Sequence, residues 1–563
     1  MNDKSTDVLI VGAGPIGLIL TVMFEKLGIK SMVVERREGL HKAPQAHVIS
    51  SRTMEICRAF GISHELVLAR ATNPMQTGMV RWVDNLLGRD LGALSIVKSP
   101  EQLAVMFSRS PTPVLNLSQD QFEEVLYDHI EDPSQILFNH KWVSLEESDG
   151  GYVSQVEDSD GAAVQIRSRY IIGADGAGSR VRAAIGANME GPQYVQSYMN
   201  VHFKADLSEQ LKGREGLLYW VMDPEAMGCF IAHDIAGNWI YMKTLNTEDP
   251  PKVPDQQQFA DLLQKAIGVD DIEPNIQSIS SWVMTAQVAD RYQRGRVFLA
   301  GDAAHRFPPT GGIGMNTGFQ DAHNLAWKIA SVERGFDASL LDTYESERRA
   351  PALANCKQSL HNFRNMSIVD EALDVDNDGV ASVDDFERVR ADSTLQGAVD
   401  AAIEKQAPHF NMVGLDLGVV YESAAVIPDG SKAIEEDPGT QYTPNVRAGG
   451  RLPHCWLQRG GEQLSTLDLV EYDHFTVMVF QKPTAGLQNA IAALKDEDYS
   501  LSIVDLSADS DIKPTEDRFA GLFPADETLL LRPDGHIAAR FKGMPETKEL
   551  SEAMQRVLGA IAA

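Results

Sequence analysis

Val8-Leu-Ile-Val-Gly-Ala-Gly-Pro-Ile-Gly17 is a short apolar run that breaks into three glycines and continues as an apolar segment to Gly28. The run reads as a buried strand and the segment after it as a helix. The glycine spacing is G-x-G-x-x-G. In that pattern Gly12 makes the tight turn, Gly14 admits a pyrophosphate to the backbone, and Gly17 lets the helix pack on the strand. Pro15 and Ile16 open the helix, whose N-terminal N–H groups and dipole suit a phosphate. A second strand, Lys30 to Val34, ends at Glu35, about 20 residues beyond the glycines, where an acid can hold ribose hydroxyls; Arg36 follows it. The order strand, glycine turn, helix, strand, acid specifies a Rossmann-like unit for an adenine dinucleotide. It does not separate NAD from FAD.

Two further segments make that separation. Tyr170-Ile-Ile-Gly-Ala-Asp-Gly-Ala-Gly-Ser-Arg-Val-Arg182 is an apolar strand followed by Asp175-Gly176 and then by Ser179 and Arg182. An NAD dehydrogenase has no use for it. Arg296-Val-Phe-Leu-Ala300 is another strand, and it delivers Gly301 and Asp302 to its end, where a carboxylate can accept hydrogen bonds from sugar-like hydroxyls. A loop containing Pro308, Pro309, Gly312 and Gly314 follows, and then a helix that starts near Met315 and Asn316. Glycines there let backbone N–H groups approach a ligand, and the helix aims its positive end at the loop. A planar ring that becomes anionic on reduction would be stabilised by that arrangement, which points to a flavin.

The three segments together resemble the fingerprints of the class A flavoprotein aromatic hydroxylases, and most closely the phenol hydroxylase branch with its chlorophenol monooxygenases. Arg52-Thr-Met-Glu-Ile56, Leu218-Tyr-Trp-Val221, Asn324-Leu-Ala-Trp-Lys-Ile-Ala330 and Leu341-Asp-Thr-Tyr-Glu-Ser-Glu-Arg348 support that branch. The resemblance is strong over 5–360 and weaker over 405–563. It implies non-covalent FAD, with NADPH or NADH as co-substrate. Reaction with O2 would then give a flavin hydroperoxide whose distal oxygen a phenolic ring attacks. The implied fold is α/β (α+β overall). A Rossmann-like FAD-binding domain is assembled from 1–80, 112–185 and 285–355, and an antiparallel-sheet substrate domain is interleaved with it at 81–111 and 186–284. A helical segment over 356–426 and a Pro/Gly/Asp-rich linker over 427–453 lead to a thioredoxin-like domain over 454–563. That last domain has no C-x-x-C, so it cannot exchange thiols. The resemblance also implies a homodimer and a small aromatic substrate.

Site residues follow from the same match. His47 stands where the chlorophenol enzymes present a histidine to the substrate, and an imidazole is well matched to deprotonating a phenol at neutral pH. The bland alternative is a loop histidine bonded to its own backbone. His305, with Pro308 beside the ring, is the second-choice acid/base. Arg52 and Gln119 match positions that steady the flavin, Arg52 being equally able to serve only as an ion-pair partner. Tyr219, Trp220, Phe230 and Tyr241, on alternating strands between 217 and 245, could roof a flat ligand or could be plain sheet core.

Composition bounds the remainder. A chain of 563 residues with 43% hydrophobic content holds two to four domains, and a net charge of −30 disfavours nucleic acid and anionic membrane as partners. Cys57, Cys229, Cys356 and Cys455 are widely spaced, which disfavours a metal cluster and fits a reducing cytoplasm. No apolar run reaches the roughly 20 residues a membrane helix needs. One motif departs from the resemblance: Asp374-Val-Asp-Asn-Asp-Gly-Val-Ala-Ser-Val-Asp-Asp385 spaces its acids like an EF-hand loop. Its twelfth residue is Asp, one methylene short of the usual bidentate Glu, so the expectation is an acidic surface loop and no metal. Other classes are a tailoring hydroxylase of polyketide-like aromatics and a flavin-binding sensor. The tryptophan signature of flavin halogenases is absent.

Overall fold

The computed structural model describes residues 4–559 apart from 74–75, 77, 249–255, 270–271, 378, 380, 433 and 498. Its centre is an eight-stranded sheet in which Lys4–Val11 lies between Ser31–Val34 and Ala163–Gly173, with Val297–Leu299 beyond, all parallel. Val8, Leu9 and Ile10 are wholly buried, as a strand covered on both faces requires. The register matters for function. Val11 pairs with both Val34 and Gly173, and Gly173 pairs with Leu299. Four strands therefore end level, and Gly12, Glu35, Asp175 and Asp302 emerge along one carboxyl edge of the sheet, where open α/β folds bind ligands.

A second, seven-stranded sheet runs Asn275–Met284, Gln196–Lys204, Asn238–Leu245, Gly228–Asp234, Leu218–Val221, Met79–Val83, Asp90–Ser95. It is antiparallel except where Leu218–Val221 meets Met79–Val83. One face buries Phe203, Tyr219, Phe230, Trp239 and Tyr241 against Leu263 and Ile267 of the helix Gln256–Ile267. The opposite face carries Trp82, Cys229 and Met242 and is partly covered by Leu373, Phe386 and Ile403 of three helices between 367 and 404. The helix Thr343–Asn365 runs unbroken through position 355, so the flavin-binding unit and the helical segment share one rod.

The C-terminal unit orders its four strands Leu501–Asp505, Phe475–Val479, Glu527–Leu531, Ile537–Lys542, the first pair parallel and the rest antiparallel. Helices Ala485–Asp496 and Thr547–Val557 pack on it through Leu487, Ile491, Leu550 and Met554 in a thioredoxin-like arrangement. Trp327 and Leu340 of the flavin-binding unit belong to the same apolar cluster. The stretch read as a linker is bonded along the last strand, with Ile427 N donating to Ala538 O, Gly449 N to Ile537 O and Leu452 N to Gly535 O. The four cysteines are buried and unpaired. No helix among the described residues is long and apolar enough to cross a membrane.

Candidate active site

At the dinucleotide end, a Cβ on Gly12, whose φ is +107°, would run into the carbonyl of Ala174, and one on Gly17 into the carbonyl of Gly12. Gly14 differs: among the described residues nothing lies within 4 Å of where its Cβ would stand. The space beside it is open, as the fingerprint requires of a glycine that is to admit a pyrophosphate. Glu35 is buried and accepts from the backbone N–H of Ala13 at 2.9 Å and of Arg37 at 2.9 Å. Burial works to raise its pKa, but the Arg37 guanidinium and those two N–H groups outweigh it and hold the carboxyl below its usual range. Arg37 is thus the partner of Glu35, while Arg36 is exposed.

The Asp-Gly segment is self-capped. Asp175 accepts from Ser179 Oγ and from the N–H groups of Arg180 and Val181, and burial raises its pKa. Arg182 ties this segment to the Gly-Asp segment by donating to Ala303 O at 3.0 Å and to Ala177 O at 2.8 Å. Asp302 is exposed at its surface, and desolvation by the protein around it raises its pKa against the opposing pull of His305 and Arg306. Beyond it Gly301 and Gly312 take positive φ, Pro308 is buried and Pro309 exposed. In the helix Gly314–Glu333 the first intrahelical bond at this end runs from Thr317 N to Ile313 O. The N–H groups of Gly314, Met315 and Asn316 are therefore free of helical partners and face an anionic ring edge favourably.

The substrate end is built where Val48–Ile49 pairs with Leu115–Asn116. His47 Nδ1 lies 2.6 Å from Asn116 Oδ1. Its ring meets the ring of His233 edge to face at 5.5 Å, His233 coming from the sheet above. Both are desolvated, which pulls each pKa down; for His233 the nearby His47 and His202 add to the fall, and for His47 the Asn116 bond opposes it. Gln119, in the first turn of Gln119–Asp128, bonds Ala46 O through its backbone and Glu123 through its side chain, so it braces the loop that carries His47.

This geometry bears on several of the expected roles. His305 is fully buried, its Nε2 2.8 Å from Asp321 and its ring stacked on Phe307 at 4.7 Å, contacts that tie the ring into the core. Arg52 takes the alternative reading: its guanidinium pairs with Glu55 at 3.2 Å and donates to Asp534 O at 2.8 Å. The Asn316 side chain donates to Val48 O and Gly312 O and accepts from Ser50 N and Thr53 Oγ1, so it latches the helix to the His47 loop with nothing left for a flavin except its backbone. Tyr219, Phe230 and Tyr241 are sheet core on the face away from His47, their hydroxyls (for the tyrosines) bonded to Arg214 O and Ala226 O. Trp220, on the opposite face and half-buried, is the one of the four that packs with Cys229 and Ile231, four and two residues before His233 on its strand. In the acidic loop Asp385 is taken up by a capping box with Ser382, and Arg388 sits on Asp376 and Asp385.

The chain resembles known proteins along nearly its whole length. A family model described as FAD binding domain matches residues 5–359, and one described as aromatic-ring hydroxylase, C-terminal, matches 445–560. The chain is 30% identical over 585 residues to the 2,4-dichlorophenol 6-monooxygenase of Delftia acidovorans, covering 99% of this chain and 100% of that protein. It is likewise 30% identical to the tetracenomycin A2 monooxygenase-dioxygenase of Streptomyces glaucescens, over 99% and 98% of the two chains. The crystal structure of the flavin-dependent monooxygenase PieE, in complex with FAD and substrate, superposes with a TM-score of 0.92 at 29% identity over the whole of both chains. The chain belongs to the FAD-binding aromatic-ring hydroxylases and is an FAD-dependent aromatic monooxygenase.

Proposed function

We propose that His47 is the general base that removes the hydroxyl proton of a phenolic substrate, and that Trp220 and His233 line the roof over that substrate. The observation that carries this is the His47 ring itself: held at Nδ1 by Asn116, faced by His233, and with Nε2 free of a partner among the described residues. Desolvation keeps the imidazole neutral at neutral pH, which is the form a base needs. Bound FAD, reduced by NAD(P)H, would activate O2, which supplies the oxygen atom. The protein holds the ring against it, excludes water, and raises electron density on the ring by taking the phenolic proton, a contribution of about 10² to 10⁴ in rate.

The first reading of the substrate is a simple phenol of a catabolic route, in keeping with the chlorophenol relative. A second reading, tailoring of a polyketide-like aromatic, is favoured by the equal identity to the tetracenomycin enzyme. NADH and NADPH oxidation by the purified protein against both substrate sets, with products identified by mass, decides between them. His47→Ala should keep FAD and release hydrogen peroxide in place of hydroxylated product; unchanged coupling at neutral pH would remove His47 from the role. The resemblance also supports a homodimer in the cytoplasm, whose subunit number sedimentation measures.

A further inference from the structure

Asn116 does more than touch His47. Its Nδ2 lies 3.2 Å from Thr72 Oγ1, and Thr72 Oγ1 lies 2.5 Å from the carbonyl oxygen of His233. Thr72 N also donates to Asn116 O at 2.8 Å, which fixes the two residues to one another. The direction of this chain of bonds follows from its end. A carbonyl oxygen only accepts, so the single hydroxyl proton of Thr72 is committed to His233 O. Thr72 Oγ1 must then accept, and the Asn116 group facing it is the NH2. That leaves Asn116 Oδ1 facing His47, where it too can only accept. His47 Nδ1 therefore carries the proton, and Nε2 carries the lone pair. The reverse amide orientation would set two oxygens together with no hydrogen between them.

We propose that Asn116 and Thr72 are positioning residues that hold His47 as its Nδ1–H tautomer, so that Nε2 is presented as the basic nitrogen. The inference rests on the reading of His47 as the base for its catalytic meaning, although the tautomer itself is measurable without it. An amide in this place has a distinct consequence. It orients the ring as a carboxylate would but adds no negative charge, so the imidazole stays neutral and ready to accept a proton. The titratable ring in contact with His47 is His233, from the strand Gly228–Asp234; its pKa is held well below the usual value, so it adds no positive charge near neutral pH.

The test is nitrogen NMR of the FAD-loaded enzyme labelled with ¹⁵N-histidine, the His47 signals being assigned by their loss in His47→Ala. Wild type should show a protonated-type Nδ1 and a lone-pair-type Nε2. Thr72→Val removes the hydroxyl that fixes the amide, and the ratio of the two tautomers should fall about five- to tenfold, the effect of one neutral hydrogen bond; Thr72→Ser should restore it. Asn116→Asp should raise the titration midpoint of His47 by about one unit or more, since a carboxylate now faces Nδ1–H. The acid limb of kcat/KM should move up with it. A lone-pair-type Nδ1 in wild type overturns the proposal, as does an unchanged tautomer ratio in Thr72→Val. These outcomes stand apart from failure of the base itself, which is read from coupling in His47→Ala: a base that fails there leaves the tautomer result intact, and the converse also holds.

Discussion

Arg532 and Glu347 meet in a two-pronged ion pair, 2.6 and 2.9 Å, with both side chains wholly buried at the join between the C-terminal unit and the flavin-binding unit. Lys328 and Asn324 donate to the same carboxylate, Ser423 donates to its other oxygen, and Trp327 lies under the Arg532 guanidinium at 5.0 Å while bonding Asp534. A second buried pair, Arg451 with Glu55, crosses the same join. The C-terminal unit is thus locked to the helix that begins beside the flavin site.

Glu347→Gln should be severely destabilising. It leaves Arg532 and Lys328 buried with one negative partner, Asp534, and breaking a buried pair from one side costs roughly 3–5 kcal/mol. Chemical denaturation of the purified variant measures this. A loss below about 1 kcal/mol would show that water reaches the network and that the join is not dry.

The stability of the protein should fall as pH drops below neutral. Burial holds His323 at about 3, and His409 and His454 at about 4, against an unfolded value of 6.5. With folded values depressed, these histidines bind more protons in the unfolded state between pH 6.5 and 4, a loss that the raised carboxyls of Asp370 and Asp416, each at about 6, offset only in part. Stability is therefore full above about 6.5 and declines through that window. Glu347 and Asp534, whose carboxyls are also held low by Arg532, extend the decline below it. Denaturation midpoints at pH 7.5 and 5 should differ clearly, and His409→Gln should shrink the difference. Equal midpoints would mean that these histidines are hydrated in the native state.

Tyr219 and Trp220 are neighbours whose side chains leave opposite faces of one strand, so their variants should separate cleanly. Trp220→Ala should raise KM and release more hydrogen peroxide per NAD(P)H while the fold persists. Phe230→Ala, in the core facing the helix Gln256–Ile267, should cost about 3–5 kcal/mol of stability and alter KM far less. If Phe230→Ala changed coupling in a fully folded sample, the ligand would lie on the other face.

This pair also shows what was legible in the chain. Strand periodicity places Tyr219 and Trp220 on opposite faces, but which face looks toward the flavin depends on the helices that cover each side. Gly12 and Gly17 were readable because each answers a local need, a positive φ at the first and a backbone contact within a few residues at the second. Glu55 with Arg451, or Asn116 with His47, are pairings across 396 and 69 positions. No local pattern announces them. Asn324-Leu-Ala-Trp-Lys328 and Glu347 were recognisable as parts of a motif, yet their physical purpose, a seat for Arg532 and Asp534, exists only once the last hairpin is docked. Pro533-Asp-Gly535 reads as a turn and is one; that its Asp534 is buried is a property of the partner surface.

The glycine fingerprint separates binding from folding within a few residues. Gly14 sits at φ −77° and ψ −176°, extended backbone that any residue adopts, with open space beside it. Gly14→Val should therefore fold, keep the melting temperature of the flavin-free wild type, and yet purify colourless, because the new methyls occupy the volume the pyrophosphate needs. Gly17→Val puts a side chain into the Gly12 carbonyl and must drive the first helix off its strand, so it should fail to give folded protein at all. Absorbance and circular dichroism on the two variants distinguish these outcomes. A Gly14→Val protein that retains a full flavin spectrum would show that the pyrophosphate lies elsewhere, and the assignment of this edge of the sheet to FAD would have to be abandoned.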